Sequence, residues 1–426
     1  MVPPSFLGYS PPASKKIQSL ILESCDNPLR LLAIGARTSP GDCNRHTPDS
    51  IDFLVGVENL NKVVFFDKNS GEICIESGAT IKEVSSFLSS SGWGLKVLPS
   101  SNSISIGGAV SADVFGFNHP SQGSFSDSIR ALSFLGADGL MKEIQKGDPL
   151  FLSVCGGYGL MGIIQYVTLS LRRTPSPFIC VDTFRLSSLR EMLKVLETSS
   201  FEFKKGTIDF NSLSMSVSHG DLCTHGTSLS LSDKLLLKID TKIKSFSSSK
   251  ATSSLMPALK DAYTDLSPNK RIILFSSFAH PQEYSSSNLI HFHFSLPFSG
   301  AEENLSLIFD TIKASGKSPI RDVDIRVLGK ENSCFLSFPS PGFSVNIRFP
   351  YEKHKSPLFS KLSSLVTSFS GRVYLAKDLY SSEEDIVLQY PKCSNFQIFR
   401  SFREWGDCDV GPKNVFASSF SSRLNL

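Results

Sequence analysis

Four side chains stand out as candidates for chemistry. His291 and His293 alternate on a stretch that reads as a strand, so both project to one side while Phe292 and Phe294 project to the other. Imidazoles so placed could accept a proton near neutral pH. The plainer alternative is a pair of solvated or core histidines, and no further ligand cluster accompanies them to suggest zinc or another metal. Lys377 follows Tyr374, Leu375 and Ala376 and precedes Asp378. Its ammonium could orient a hydroxyl or offset developing negative charge, or simply pair with Asp378 on the surface. Arg348 lies on the expected strand Phe343–Phe349. It has the planar fork that grips phosphate or carboxylate, or else is an exposed strand arginine.

Two stretches of small residues could cradle an anion. One is Gly35-Ala36-Arg37-Thr38-Ser39-Pro40-Gly41-Asp42; the other runs from Ser103 to Gly116 around Gly107-Gly108-Ala109. Backbone amides approach an anion only where side chains are small, and successive amides in a turn form a nest. Either stretch alone reads equally as a tight loop. A third, Gly157-Tyr158-Gly159-Leu160-Met161-Gly162, fits GxGxxG with Asp182 downstream. That motif needs a strand before the glycines and a helix after them. Here a helix precedes and the strand-like Ile163–Arg172 follows, so the dinucleotide reading is rejected.

The elements that must position these groups follow from periodicity and punctuation. A helix is expected at Lys15–Ser24 and a strand at Leu31–Gly35. Lys62–Asp67 and Ile73–Glu76 form a hairpin, and Thr80 caps a helix with Glu83 three residues on. Leu95–Leu98 reads as extended. Ser128–Leu135 and Leu140–Glu143 form a second hairpin, and Asp148-Pro149 opens a short helix. Arg173-Thr174-Pro175-Ser176-Pro177 is a breaker-rich boundary. Beyond it, strands such as Ile272–Phe278 and Leu289–Leu296 alternate with amphipathic helices, until Gly371 begins a strand and helical tail.

The 426 residues, 40% hydrophobic, suit two domains. With 43 basic against 40 acidic residues there is no electrostatic footprint for nucleic acid. The start Met1-Val2-Pro3-Pro4 lacks a signal-peptide pattern, and no apolar run is long enough to span a membrane, so a soluble cytoplasmic protein is expected. The nine cysteines, Cys25 to Cys408, lack any CxxC pair, and reduced, mostly buried thiols are the expectation.

Taken together and in this order, the glycine loops carry a resemblance. Gly35–Asp42 resembles the first pyrophosphate loop of the vanillyl-alcohol-oxidase (PCMH-type) flavoproteins. Leu98-Pro99, Ser105–His119 and Gly123-Ser124-Phe125 resemble the second flavin-binding stretch of the decaprenylphosphoryl-ribose oxidases. The segments 137–139, 148–150 and 156–164 continue it, as do 336–343, 371–378 and 415–424 near the C-terminus. The middle, 183–285, is weakly matched.

The resemblance implies an α+β, two-domain flavoprotein. Residues 1–176 and 371–426 would form the FAD-binding domain, with an antiparallel-sheet substrate domain, 177–370, inserted between. FAD would contact Ala36, Arg37, Thr38, Ser39, Pro40, Gly41, Asp42, Cys43 and Asn44 in the first loop. In the second it would contact Ser100, Gly107, Gly108, Ala109, Ala112, Asp113, Val114 and Phe115, and beyond that Ile164 and Tyr374. Thr38 stands where related enzymes attach flavin to a histidine, so non-covalent FAD is expected, and Cys43 lies slightly beyond that place. Lys377 matches the family's pocket lysine, and His291, His293 and Arg348 fall on the sheet roofing the flavin.

The implied reaction is oxidation of a secondary alcohol on a sugar: a polyprenyl-phosphoryl ribose taken at C2′ to the keto sugar. A short-chain dehydrogenase/reductase partner would complete epimerisation to arabinose, and the lipid substrate suggests peripheral membrane contact. The alternatives are oxidation of a free polyol, aldonolactone or glycoside, and a degenerate flavoprotein without activity. Departures keep these open. The family's loop tyrosine is Pro40, its flavin-side histidine Phe115, the neighbouring lysine Phe117, the active-site cysteine Asn346, and an acidic neighbour Arg348.

Overall fold

The computed structural model describes residues 19, 30–44, 53–174, 178–210, 214–223, 270–274, 289–316, 320–350, 356–401, 416–424 and 426. The expected helix Lys15–Ser24 (apart from Ser19), Pro175–Pro177 of the boundary, and Ile272–Phe278 beyond Leu274 lie outside them.

Two antiparallel sheets dominate. A five-stranded sheet has the order Val63–Asp67, Glu72–Glu76, Gly162–Ser170, Ile129–Gly136, Met141–Gln145. Both expected hairpins are in it. Its core includes Ile73, Val167 and Leu132, packed under the helices Ile81–Leu88 and Ile106–Ser111. The first of these helices begins as expected. Thr80 Oγ1 accepts the Glu83 amide while the Glu83 carboxylate accepts the Thr80 amide at 2.7 Å, satisfying two amides that a helix start leaves over. The helix Pro149–Val154 precedes the third glycine run and the strand Gly162–Ser170 follows it, the reverse of a dinucleotide turn.

The second sheet has eight strands: Lys270–Leu274, Phe178–Leu186, Ser214–Leu222, Phe203–Asp209, Asp322–Leu328, Gly342–Pro350, Leu289–Leu296 and Arg372–Val373. One face packs on the helices Leu189–Thr198, Ala301–Ala314 and Ser356–Ser368. The period of two is strict where it matters. Val323, Ile325 and Val327 are buried on the helical side, each contributing roughly 1.5–3 kcal/mol by burial, and Asp322, Asp324 and Arg326 occupy the other.

Segments near the two ends of the described chain meet. Leu31–Ile34 pairs in parallel with Phe53–Gly56, and on Leu31 sits a parallel bridge from Phe416.

Two expectations fail. Leu95–Leu98 buries Leu95 and Val97 but joins no ladder; only Trp93–Gly94 pairs, with Arg172–Arg173. Cys180 and Cys223 are disulfide-bonded with their Cα atoms 5.5 Å apart, instead of both being free thiols. The register of Phe178–Leu186 against Ser214–Leu222 places Ile179 opposite Leu222, which brings the two cysteines to the same end of that pair. Cys43, Cys74, Cys155, Cys334 and Cys393 are thiols, outside any disulfide.

Candidate active site

Between the polar face of the eight-stranded sheet and the glycine loops lies a cavity of about 740 Å³, within the range of cofactor sites. Its roof is set by register. Across three strands the rows are Asp322–Arg348–His291, Asp324–Asn346–His293 and Arg326–Ser344–Ser295. Of these residues His291, His293, Asp324, Arg326, Asn346 and Arg348 line the cavity. Lys377 enters from the turn after Arg372–Val373, a turn fixed by the Tyr374 amide donating to the His293 carbonyl at 2.7 Å.

All four candidate catalytic residues therefore reach one space, but their states differ from expectation. Burial pushes the His291 imidazole down to about 3, with Lys377 and Arg348 adding to the effect. His293 is driven well below its ordinary value by burial and by Lys377 and Arg326; its Nε2 lies 2.7 Å from Ser344 Oγ. Both rings are neutral at pH 7, so neither is poised to gain a proton there. Lys377 is lowered to about 7, first by burial and then by Arg326 and Arg348. The surface pairing with Asp378 does not occur: Asp378 is buried and bonded to Arg423 and Ser381. Among the described residues the Lys377 ammonium makes no hydrogen bond.

The fork of Arg348 is already occupied. Its Nε donates to Asp322 and its Nη1 to Asp324 Oδ2 at 2.6 Å. Burial raises the Asp324 carboxyl, but Arg348, Lys205 and Arg326 outweigh that and hold it at about 2.

The cation that sequence reasoning missed is Arg326. It is 4% exposed, lines the cavity, and makes no ion pair among the described residues. Its guanidinium lies 4.1 Å from the Phe117 ring centroid and 5.7 Å from that of Phe115. Such contacts give about 0.5–2 kcal/mol, short of the several kcal/mol that removing an ion from water costs. Burial lowers its pKa to about 10, which leaves it charged at neutral pH. The alternation Asp322-x-Asp324-x-Arg326 was the available signal, but only the sheet register shows which way that face looks.

The floor comes from the loops. Ala36, Arg37, Thr38, Ser39, Pro40, Cys43 and Asn44 line it, as do Ser100, Gly107, Gly108, Ala112, Val114, Phe115, Ile164 and Tyr374. Four expected contacts do not. Gly41 and Asp42 turn away, their amides donating to the Ala376 and Asp378 carbonyls. Ala109 faces the core as part of the helix Ile106–Ser111. Asp113 is buried beneath, accepting from the Ser126 amide, Asn332 and Ser337 Oγ at 2.9, 2.5 and 2.9 Å.

The second cradle also differs from an open nest. Gly107 and Gly108 form a helix start capped by Ser105, and the Ile106 and Gly107 amides donate at 2.7 Å to Ala79 and Ser77 carbonyls. Glycine suits that approach at 107: a Cβ would stand 3.0 Å from Ser77 Cβ and 3.2 Å from the Ser77 carbonyl oxygen. Phe115 and Tyr374 line one side of the cavity and pack on Phe338 behind them, the three ring centroids 4.8–5.7 Å apart.

Residues 10–145 match the family described as FAD binding domain. The chain is 26% identical to decaprenylphosphoryl-beta-D-ribose oxidase of Mycolicibacterium smegmatis, over 93% of this chain and 89% of that protein. It is 27% identical to mitochondrial D-2-hydroxyglutarate dehydrogenase of Arabidopsis thaliana over 49% of this chain and 40% of the relative. To L-gulonolactone oxidase of Mus musculus it is 22% identical, over 45% and 42%. FAD is the cofactor, and the two-domain α+β flavoprotein fold expected from the sequence holds. The cavity fits it. Gly159, at φ +79°, lines the cavity with no atom within 4 Å of where a Cβ would stand, so any side chain there would intrude on open space.

Proposed function

We propose that this chain, an FAD-dependent oxidoreductase of the PCMH type, oxidises a secondary alcohol on a sugar. The observation that carries the reading is the position of Lys377, a cavity amine lowered to about 7 and facing the same space as the glycine loops. Bound FAD supplies the acceptor for the hydride that leaves the carbinol carbon. The hydroxyl proton goes to the unprotonated Nζ of Lys377, leaving a C=O and an ammonium. His291 and His293, neutral, orient the hydroxyl by hydrogen bonds, and the rings of Phe115 and Tyr374, backed by Phe338, keep water from the reacting carbon.

FAD is held non-covalently between the 36–44 loop, without Gly41 and Asp42, and the residues Ser100, Gly107, Gly108, Ala112, Val114, Phe115, Ile164 and Tyr374. The FAD domain is 1–176 with 371–426, and 177–370 is the substrate domain. Its polar sheet face roofs the cavity, which supports that division.

The finer reading is a polyprenyl-phosphoryl ribose oxidised at C2′, with a short-chain reductase acting on the product. It is supported by the name of the relative matched over most of the chain. Acid denaturation of the purified protein should release all the yellow colour to the supernatant. Anaerobic addition of a suitable sugar to the intact protein should bleach it. A colourless protein that FAD cannot turn yellow would overturn the reading, and covalent flavin would overturn its non-covalent part.

A further inference from the structure

Arg326 is the buried cation of the roof that makes no ion pair among the described residues, with Asp324 attracting it only from a distance. Its row across the sheet continues into Ser344 and Ser295, both neutral, whereas the row of Arg348 carries Asp322. Asp324, two residues away on the same strand, is bonded to Arg348. Phe117 and Phe115 hold the guanidinium plane by their rings and leave its N–H donors without an acceptor among the described residues. A guanidinium at the wall of a cavity, nine-tenths or more buried and lacking a carboxylate, is completed by an anionic oxygen group from a ligand.

We infer that Arg326 is a specificity-determining residue that binds an anionic oxygen group, a phosphate or a carboxylate, carried by the sugar substrate. Arg348, despite its fork, is a positioning residue that holds Asp322 and Asp324 in the roof. The inference rests on the sugar-oxidation reading for the body of the ligand, and adds that a neutral polyol or lactone is a poor occupant.

The test uses the FAD-loaded protein, with perturbation of the visible flavin spectrum as the readout of binding. Ribose, ribose 5-phosphate and ribonate are titrated separately into the wild type, R326K and R326M, with flavin content measured in each. The wild type should bind the two anionic sugars at least about 10-fold tighter than ribose, as one charge-assisted hydrogen-bond pair provides. R326M should lose that preference while keeping its flavin and its affinity for ribose, and R326K should fall between. Tighter binding of ribose 5-phosphate than of ribonate identifies phosphate as the group, and the reverse identifies carboxylate.

A wild type that binds ribose as well as either anion overturns the inference even if R326M does not fold. So does an R326M that keeps the preference. Bleaching by sugars without any preference for anionic ones refutes this inference alone. Arg326-dependent binding of ribose 5-phosphate without bleaching by any sugar refutes the oxidation reading alone.

Discussion

In the proposed oxidation, a hydroxyl proton released in the cavity meets two neutral imidazoles and one amine. His291, at about 3, is a weak base; Lys377, at about 7, is roughly 10⁴-fold stronger and half unprotonated at neutral pH. The amine accepts only when unprotonated. The rate of flavin reduction by substrate should therefore climb with pH, level off above about 7, and fall below it. Stopped-flow reduction across pH checks this, and Lys377→Met should abolish the limb and slow reduction by about 10²–10⁴-fold. A K377M protein that keeps the same pH limb would assign it to another group. Lys377 and both histidines were legible in the sequence because their spacing and the resemblance fell on a strand and a following turn. Arg326 and Asp324 were not. A single strand's alternation fixes which residues share a face, but which face meets the cavity depends on strands more than a hundred residues apart.

At the scale of elements, the first glycine loop works as an anchored strap. The residues facing the cavity, such as Ser39 and Cys43, alternate with the Gly41–Asp42 pair that fastens the strap to the 376–378 turn. A Cβ at 41 would stand 2.8 Å from the Ala376 carbonyl oxygen and 2.9 Å from that of Asp378. Neither is a movable side-chain tip, so Gly41→Ala should lift the strap at a cost of about 1–3 kcal/mol, weakening FAD binding by about 10-fold or more. Titration of the apoprotein with FAD, followed by flavin fluorescence, measures this, and an unchanged dissociation constant would show that the strap is not held there. Local chemistry made other elements readable: the Thr80–Glu83 capping box and the Asp148-Pro149 start are short-range devices, and both are present. The open-nest reading of Gly107-Gly108 failed for the opposite reason. The Gly107 amide is used by the Ser77 carbonyl of a neighbouring segment and the Gly108 amide by the Ser105 cap, and small side chains suit close backbone packing as well as they suit an anion.

For the whole molecule, the fold depends on joining parts far apart in the chain. Arg423 is the principal clasp. Its Nε donates to Asp42 Oδ2 and its Nη2 to Asp378 Oδ2, each at 2.8 Å, and its Nη1 donates to the Ser381 carbonyl. It thus ties the back of the first glycine loop to the turn that carries Lys377, and a second tie, the Ala417 amide on the Leu31 carbonyl at 3.0 Å, holds the same ends together. Arg423 lies within the 415–424 segment that carries the resemblance, but its partner Asp42 lies 381 positions away, so the pairing appears only in three dimensions. The Cys180–Cys223 bond was hidden by the same kind of distance, since an odd count of scattered cysteines says nothing of strand register. Arg423→Met would leave two buried carboxylates without their cation, which costs about 3–5 kcal/mol for a pair of this kind. Urea unfolding should shift accordingly, and because both ties of the clasp fasten segments whose neighbouring residues line the cavity, FAD should be released before the eight-stranded sheet melts. Arg423→Lys, a point charge in place of a fork, should recover only part of the loss. If R423M unfolds at the wild-type midpoint with its flavin retained, the chain ends are held by the Leu31–Phe416 bridge and the buried apolar contacts around it, and the clasp adds nothing.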